Sequence, residues 1–180
     1  MVRSRVQATF LLSFALLLAL ALPSSPALAG GPAATDPDQL EALFVQRLTR
    51  YVTWPEAARP GPDGPVIVAA TDARRLRPYF ADLPPGRFRL VQWPADEFHV
   101  LIVNGAPGRE AAAILRRAAG RPVLTIGQGP ESLRLGAVIA FRRVGGHIRL
   151  EVNPRAAARS GLSISSRLLS IVRIYGGAYE

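Results

Sequence analysis

Pro65-Val66-Ile67-Val68-Ala69-Ala70 is an apolar, β-branched run of strand length, bounded by Gly64 before it and by Thr71-Asp72 after it. Such a run reads as a strand buried on both faces. Over residues 72–83 the pattern changes at once: Leu76, Tyr79, Phe80 and Leu83 recur at helical spacing. A buried strand followed directly by a helix is the unit of a parallel sheet, because the chain needs a crossover to start the next strand in the same direction. The unit then recurs. Residues 87–93 alternate as a half-exposed strand, 98–103 are apolar apart from His99, 110–119 form an Ala/Arg/Leu helix stopped by Gly120, and 122–126 are another buried strand.

Upstream, Asp36 can cap a helix with Pro37 at its first position and Gln39 placed for a capping box, and Leu40, Leu43, Phe44, Leu48, Tyr51 and Val52 then run at helical spacing to Trp54-Pro55. Downstream, residues 137–144 and 147–152 are strands joined by Gly145-Gly146, which supplies the positive φ angles of a tight hairpin. Asn153 and Pro154 start a short helix ended by Gly161. Residues 163–175, with Ile164, Leu168, Leu169, Ile171, Val172 and Tyr175, read as a last apolar helix. The expected fold is α/β: a mixed, mostly parallel sheet flanked by helices in a three-layer sandwich, with an antiparallel hairpin near the C-terminus.

The N-terminal 29 residues carry a different message. Arg3 and Arg5 precede an apolar run over residues 6–22, then Pro23-Ser24-Ser25-Pro26 breaks the helix and Ala27-Leu28-Ala29 gives a small-x-small cleavage pattern. This predicts a signal peptide at 1–29, a Gly/Pro/Ala leader at 30–35 and one α/β domain at 36–180, exported to the periplasm with cleavage after Ala29. An uncleaved anchor is the competing reading, since the run is near the lower limit for a bilayer span. No cysteine follows it, which excludes attachment through an N-terminal cysteine.

The chain has no cysteine at all and no lysine, so disulfides and thiolate metal sites are out of reach. Removing Arg3 and Arg5 with the signal leaves 20 arginines against 13 acidic residues, a net +7. The arginines come in short groups on different elements, which argues against a nucleic-acid stripe and favours encounter with an anionic surface or an acidic protein.

No complete catalytic motif is present. His147 follows the hairpin turn and His99 opens an apolar strand, where a solvated turn residue and a hydrogen-bonded sheet-end residue are the ordinary roles. Ser160, Ser163, Ser165 and Ser166 lie near helix starts rather than in a GxSxG turn. Gly127-Gln128-Gly129 follows a strand but lacks the remaining glycine and lysine of a phosphate loop. Asp36, Asp38 and Glu41 cluster at a helix start, where they complement the macrodipole. No metal or cofactor is expected from these residues.

Four stretches resemble the YfiR-like periplasmic proteins. Leu40-Glu41-Ala42-Leu43-Phe44 leading to Tyr51-Val52-Thr53-Trp54-Pro55 is similar to that family's opening helix and Trp-Pro motif. Val100-Leu101-Ile102-Val103 and Gly120-Arg121-Pro122-Val123-Leu124-Thr125-Ile126 match two of its strands. The most specific likeness is the C-terminal string of Ile139-Ala140-Phe141, Ile148-Arg149-Leu150-Glu151-Val152-Asn153 and Ala157-x-x-Ser160-Gly161-Leu162-Ser163-Ile164-Ser165-Ser166-Arg167-Leu168-Leu169.

The resemblance implies a regulatory binding protein rather than an enzyme, one that holds a membrane-bound diguanylate cyclase inactive by gripping its periplasmic sensor domain. A sensor kinase is the alternative partner. It implies partner contacts at Phe141 and Glu151 with Ala157 beside them, against ordinary roles as a core strand residue for Phe141 and an arginine partner for Glu151. It also implies homodimers, which the apolar C-terminal helix would suit. Redox control through cysteine pairs, described for some members, is impossible here. Two other readings compete: a small-ligand binding module, with Thr71-Asp72 and Gly127-Gln128-Gly129 bordering a crevice at the strand ends, and a hydrolase built on His99 or His147.

Overall fold

The computed structural model describes residues 36–145 and 147–176. The signal peptide, its cleavage site, the leader and Gly146 lie outside the described residues.

Helix α1 (Pro37–Leu48) starts as its sequence demands. Asp36 accepts a hydrogen bond from the Asp38 N–H at 2.9 Å and Pro37 fills the first position, where no N–H is needed. A 3-10 turn (Thr49–Tyr51) and strand β1 (Val52–Thr53) follow. The main sheet then begins with β2 (Val66–Ala70), α2 (Ala73–Ala81), β3 (Phe88–Gln92), β4 (Val100–Ile102), α3 (Gly108–Ala118) and β5 (Leu124–Gln128). A short α4 (Gly129–Arg134) leads to the hairpin of β6 (Ile139–Val144) and β7 (His147–Val152), and α5 (Pro154–Arg159) comes next, capped by Asn153.

Strand order is β3-β2-β4-β5-β6-β7-β9 in one seven-stranded sheet, with β9 (Arg173–Ile174) contributed by the C-terminal segment. Pairings from β3 to β6 are parallel, and β6 with β7 is antiparallel, from Ile139 opposite Val152 to Val144 opposite His147. Because side chains alternate along a strand, the buried runs feed two cores. Val68, Val100, Ile102 and Ile126 meet α1, α2 and α5 on one face. Ile67, Ala69 and Leu101 meet Ile114 and Leu115 of α3 on the other. The three-layer expectation is therefore met. Trp54 of the Trp-Pro motif is buried, and its Nε1–H donates to the His99 carbonyl at 3.3 Å, fastening the α1 exit to the start of β4.

The C-terminal helix expected over residues 163–175 does not form. In its place are β8 (Ser163–Ile164), a single turn α6 (Ser166–Leu169) and β9 (Arg173–Ile174). β8 pairs antiparallel with β1, and β9 adds parallel to β7. The cause is local chemistry. Ile164, Ile171, Val172 and Ile174 are β-branched and lose χ1 freedom in a helix, and Ser165 caps α6, accepting from Arg167 N–H, so that a new helix begins there instead of continuing. Only Leu168 of this segment is fully buried, while Ile171 is 77% exposed.

Candidate functional site

The exposed face of this irregular C-terminal segment and the hairpin strands β6 and β7 enclose an open groove of about 800 Å³. Phe44 of α1 forms one wall, Ile148 and Leu150 the floor, and Leu168, Ile171 and Val172 the other wall. Glu151 and its arginines stand at the edge. Glu151 is only 4% exposed. Its Oε2 lies 3.2 Å from Arg142 Nη1 and its Oε1 lies 3.8 Å from Arg173 Nε. Glu151 is also the register partner of Arg173, so the carboxylate ties the β9 end of the groove wall to the sheet.

The three residues singled out from the resemblance fall in different places. Glu151 lines the groove. Phe141 is 6% exposed, packs its ring 5.5 Å from that of Phe44, and faces a second cavity instead. Ala157, 1% exposed, sits on the core face of α5 itself.

That second cavity, of about 240 Å³, opens at the carboxyl ends of β4, β5 and β6. The point where strand order reverses, between β2 and β4, is closed by polar stitching. Thr71 Oγ1 donates to the Asn104 carbonyl at 2.5 Å, and Asn104 Oδ1 accepts from Asp72 N–H at 3.0 Å. The opening is therefore displaced one strand along, where Gln128 borders it and Thr71-Asp72 does not. Glu41, read from sequence as a dipole-complementing acid, is instead 3% exposed in this cavity and accepts from Gln128 Nε2 at 2.8 Å. Neighbouring Asp38 takes Arg75 Nε at 2.9 Å, fastening α1 to α2.

Burial, with Asp38 alongside, pushes the Glu41 carboxyl up to about 7 from its ordinary 4.5. A carboxyl raised in the folded state binds more protons there than in the unfolded chain, so stability is full below pH 4.5 and falls as pH rises to 7. A shift of this size corresponds to about 3 kcal/mol. Urea titrations at pH 4.5 and pH 8 should show that loss in the wild type and little of it in Glu41→Gln; equal slopes in both proteins would refute the assignment.

Neither histidine gathers a catalytic set. His99 Nδ1 accepts from Ile67 N–H at 3.0 Å, burial lowers its pKa, and it is a neutral sheet-end residue. His147 is exposed at the start of β7. Among the described residues no group of His, Asp and Glu could hold a metal ion, and no helix is long and apolar enough to cross a membrane.

The described residues thus form a doubly wound α/β domain with an open groove beside the hairpin and a smaller polar cavity at the strand ends. The DUF4154 family model, YfiR/HmsC-like, matches residues 38–173, and the chain belongs to that family. The family is one of periplasmic regulators rather than catalysts. No curated protein matches the chain. Among solved structures, the crystal structure of an ABC domain in complex with L-Trp from Streptococcus pneumonia is similar with a TM-score of 0.53 at 9% identity, covering 77% of this chain and 60% of that one. At that identity the likeness concerns the fold alone.

Proposed function

We propose that this protein is a periplasmic regulator that restrains a membrane-bound signalling enzyme by direct contact, with a diguanylate cyclase as the leading partner and the groove beside Glu151 as the contact surface. The observation that carries this reading is the exposed apolar lining of the groove: Ile171 at 77%, with Val144 also exposed. Exposed apolar side chains around a concave surface are what a partner's anchor residues need. The arginine-rich edge would add attraction to an acidic rim and speed the encounter. Export of the mature chain 30–180, with its single domain at 36–180, after cleavage at Ala29 belongs to the same reading, and N-terminal sequencing of the periplasmic form should begin at Gly30.

Ile171→Arg tests the contact without touching the core. The purified variant should melt within about 1 °C of wild type, as substitutions away from packed features do. Its affinity for the cyclase's periplasmic domain should fall at least about tenfold, as expected for a lost anchor. In cells, cyclic-di-GMP output should rise. Wild-type affinity and output in this variant would remove the groove from the proposal. A homodimer remains part of the proposal, now resting on the same exposed segment instead of a helix, and light scattering of wild type and Ile171→Arg at tens of micromolar would test it.

A further inference from the structure

The groove beside the hairpin is lined from both faces of β7. Ile148 and Leu150 reach it from the face that packs on the core, and Arg149 and Glu151 from the opposite face, where Arg142 is the register partner of Arg149. A hollow lined by both faces of one strand lies over that strand's edge. Ladder parity shows what the edge offers. Along an antiparallel pair, opposed residues alternate between pairs that exchange both backbone hydrogen bonds and pairs that exchange none. Val144 and His147 close a two-residue hairpin and so form an exchanging pair, as do Arg142 with Arg149 and Ala140 with Glu151. Ile148, Leu150 and Val152 therefore turn their N–H and C=O away from β6. Val152 bears out the parity, since its carbonyl accepts from Tyr175 N–H at 2.7 Å. β9 pairs with β7 only at Glu151 and Val152, so the N–H and C=O of Ile148 and the N–H of Leu150 meet no strand among the described residues.

We propose that the protein partner adds an extended strand to this edge, in line with β9, and that the strand alternates apolar with acidic side chains. The inference rests on the groove being the contact surface and names how that surface is used. A row of unpaired N–H and C=O groups is a template for one more strand. A strand paired there sends alternate side chains to the two faces of the sheet. One set meets the apolar side of the groove, with Leu168 and Val172. The other set meets the arginine side. Arg142 is already paired with Glu151, but Arg149 is exposed and forms no ion pair among the described residues, so that set is acidic. A second copy of this chain is a poorer occupant of the edge, because it would set one row of arginines against another.

The probe is a hexapeptide of alternating valine and glutamate, acetylated and amidated at its ends. Calorimetry on the mature protein should show saturable binding at millimolar concentration or below, with the matching valine-arginine peptide at least about tenfold weaker. Arg149→Glu should weaken the glutamate peptide and strengthen the arginine one. The backbone is tested at Ile148. Ile148→Pro and Ile148→Ala lose the same side chain, but only proline removes the outward N–H, which takes no part in the pairing with β6; proline is tolerated on edge strands for that reason. Ile148→Pro should bind the glutamate peptide at least about tenfold more weakly than Ile148→Ala, as loss of an edge hydrogen bond and the bulk of the ring require. A further comparison uses the wild-type protein. N-methylating all the valines blocks one edge of the peptide and N-methylating all the glutamates blocks the other, so only one of the two should lose binding. This pair decides by itself should the proline variant fail to fold. No binding of the hexapeptide, or equal binding of the two methylated peptides, would overturn edge pairing, while the groove reading would still be judged separately by Ile171→Arg. A wild-type dimer that Ile148→Pro, but not Ile148→Ala, converts to monomer would assign the edge to a second copy and overturn the acidic partner.

Discussion

Glu151→Arg is expected to lower the melting temperature by about 10 °C. Glu151 is buried between Arg142 and Arg173, and the substitution leaves both guanidinium groups without their carboxylate while adding a third cation to the same place. Breaking a buried pair by removing one partner costs about 3–5 kcal/mol. The lower end applies here, because Arg142 and Arg173 are 29% and 48% exposed and can turn partly to water. For a domain of this size each kcal/mol moves the midpoint by about 3 °C. Glu151→Gln, which retains an acceptor for Arg142, should lose less than half as much. Calorimetry of the two variants decides, and a midpoint for Glu151→Arg within about 2 °C of wild type would show that the carboxylate does not hold β9. One consequence concerns interpretation: loss of regulation in Glu151→Arg reports a loosened groove wall as readily as a lost contact, which is why Ile171 is the cleaner test of the partner surface.

The parts of the fold legible in sequence are those whose pattern has one physical cause. Residues 67–70, 100–102 and 124–126 are covered on both faces, so their runs are apolar but for the buried Thr125, and at that length, between turn residues, they read as strands. The C-terminal segment misled because its apolar residues recur every three or four positions, as in a helix, although one turn of helix between two short strands produces the same spacing. β-branching at Ile164, Ile171, Val172 and Ile174 was the signal against a helix. Glu41 was illegible for another reason. An acid near the start of a helix usually faces water, and whether it is folded under depends on Gln128, 87 residues away. Of the resemblance-derived site, Glu151 was placed at the groove, but the groove itself, made by the exposed side of a non-helical segment, could not be read from spacing.

Gly127→Ala is expected to destabilise the protein by about 1–3 kcal/mol, the usual cost of forcing an atom into a packed interior. Gly127 is the penultimate residue of β5. A Cβ built there would lie 2.3 Å from Ser132 Cβ and 2.5 Å from Ser132 Oγ. Ser132 is itself buried on α4, its hydroxyl donating to the Gly129 carbonyl at 2.7 Å. The helix therefore lies against bare backbone, and the glycine serves close packing rather than phosphate binding. Gly129 serves the turn, with φ at +72° where α4 begins. If contact with Ser132 is the cause, removing the obstructing side chain must relieve it. Ser132→Gly alone should cost about 1 kcal/mol as a glycine within a helix, yet Gly127→Ala combined with Ser132→Gly should be more stable than Gly127→Ala alone. That sign reversal in a double-mutant cycle cannot arise from independent sites. Strictly additive losses would mean that Gly127 is required for some reason other than the approach of α4, and the phosphate-loop reading of Gly127-Gln128-Gly129 would have to be reopened.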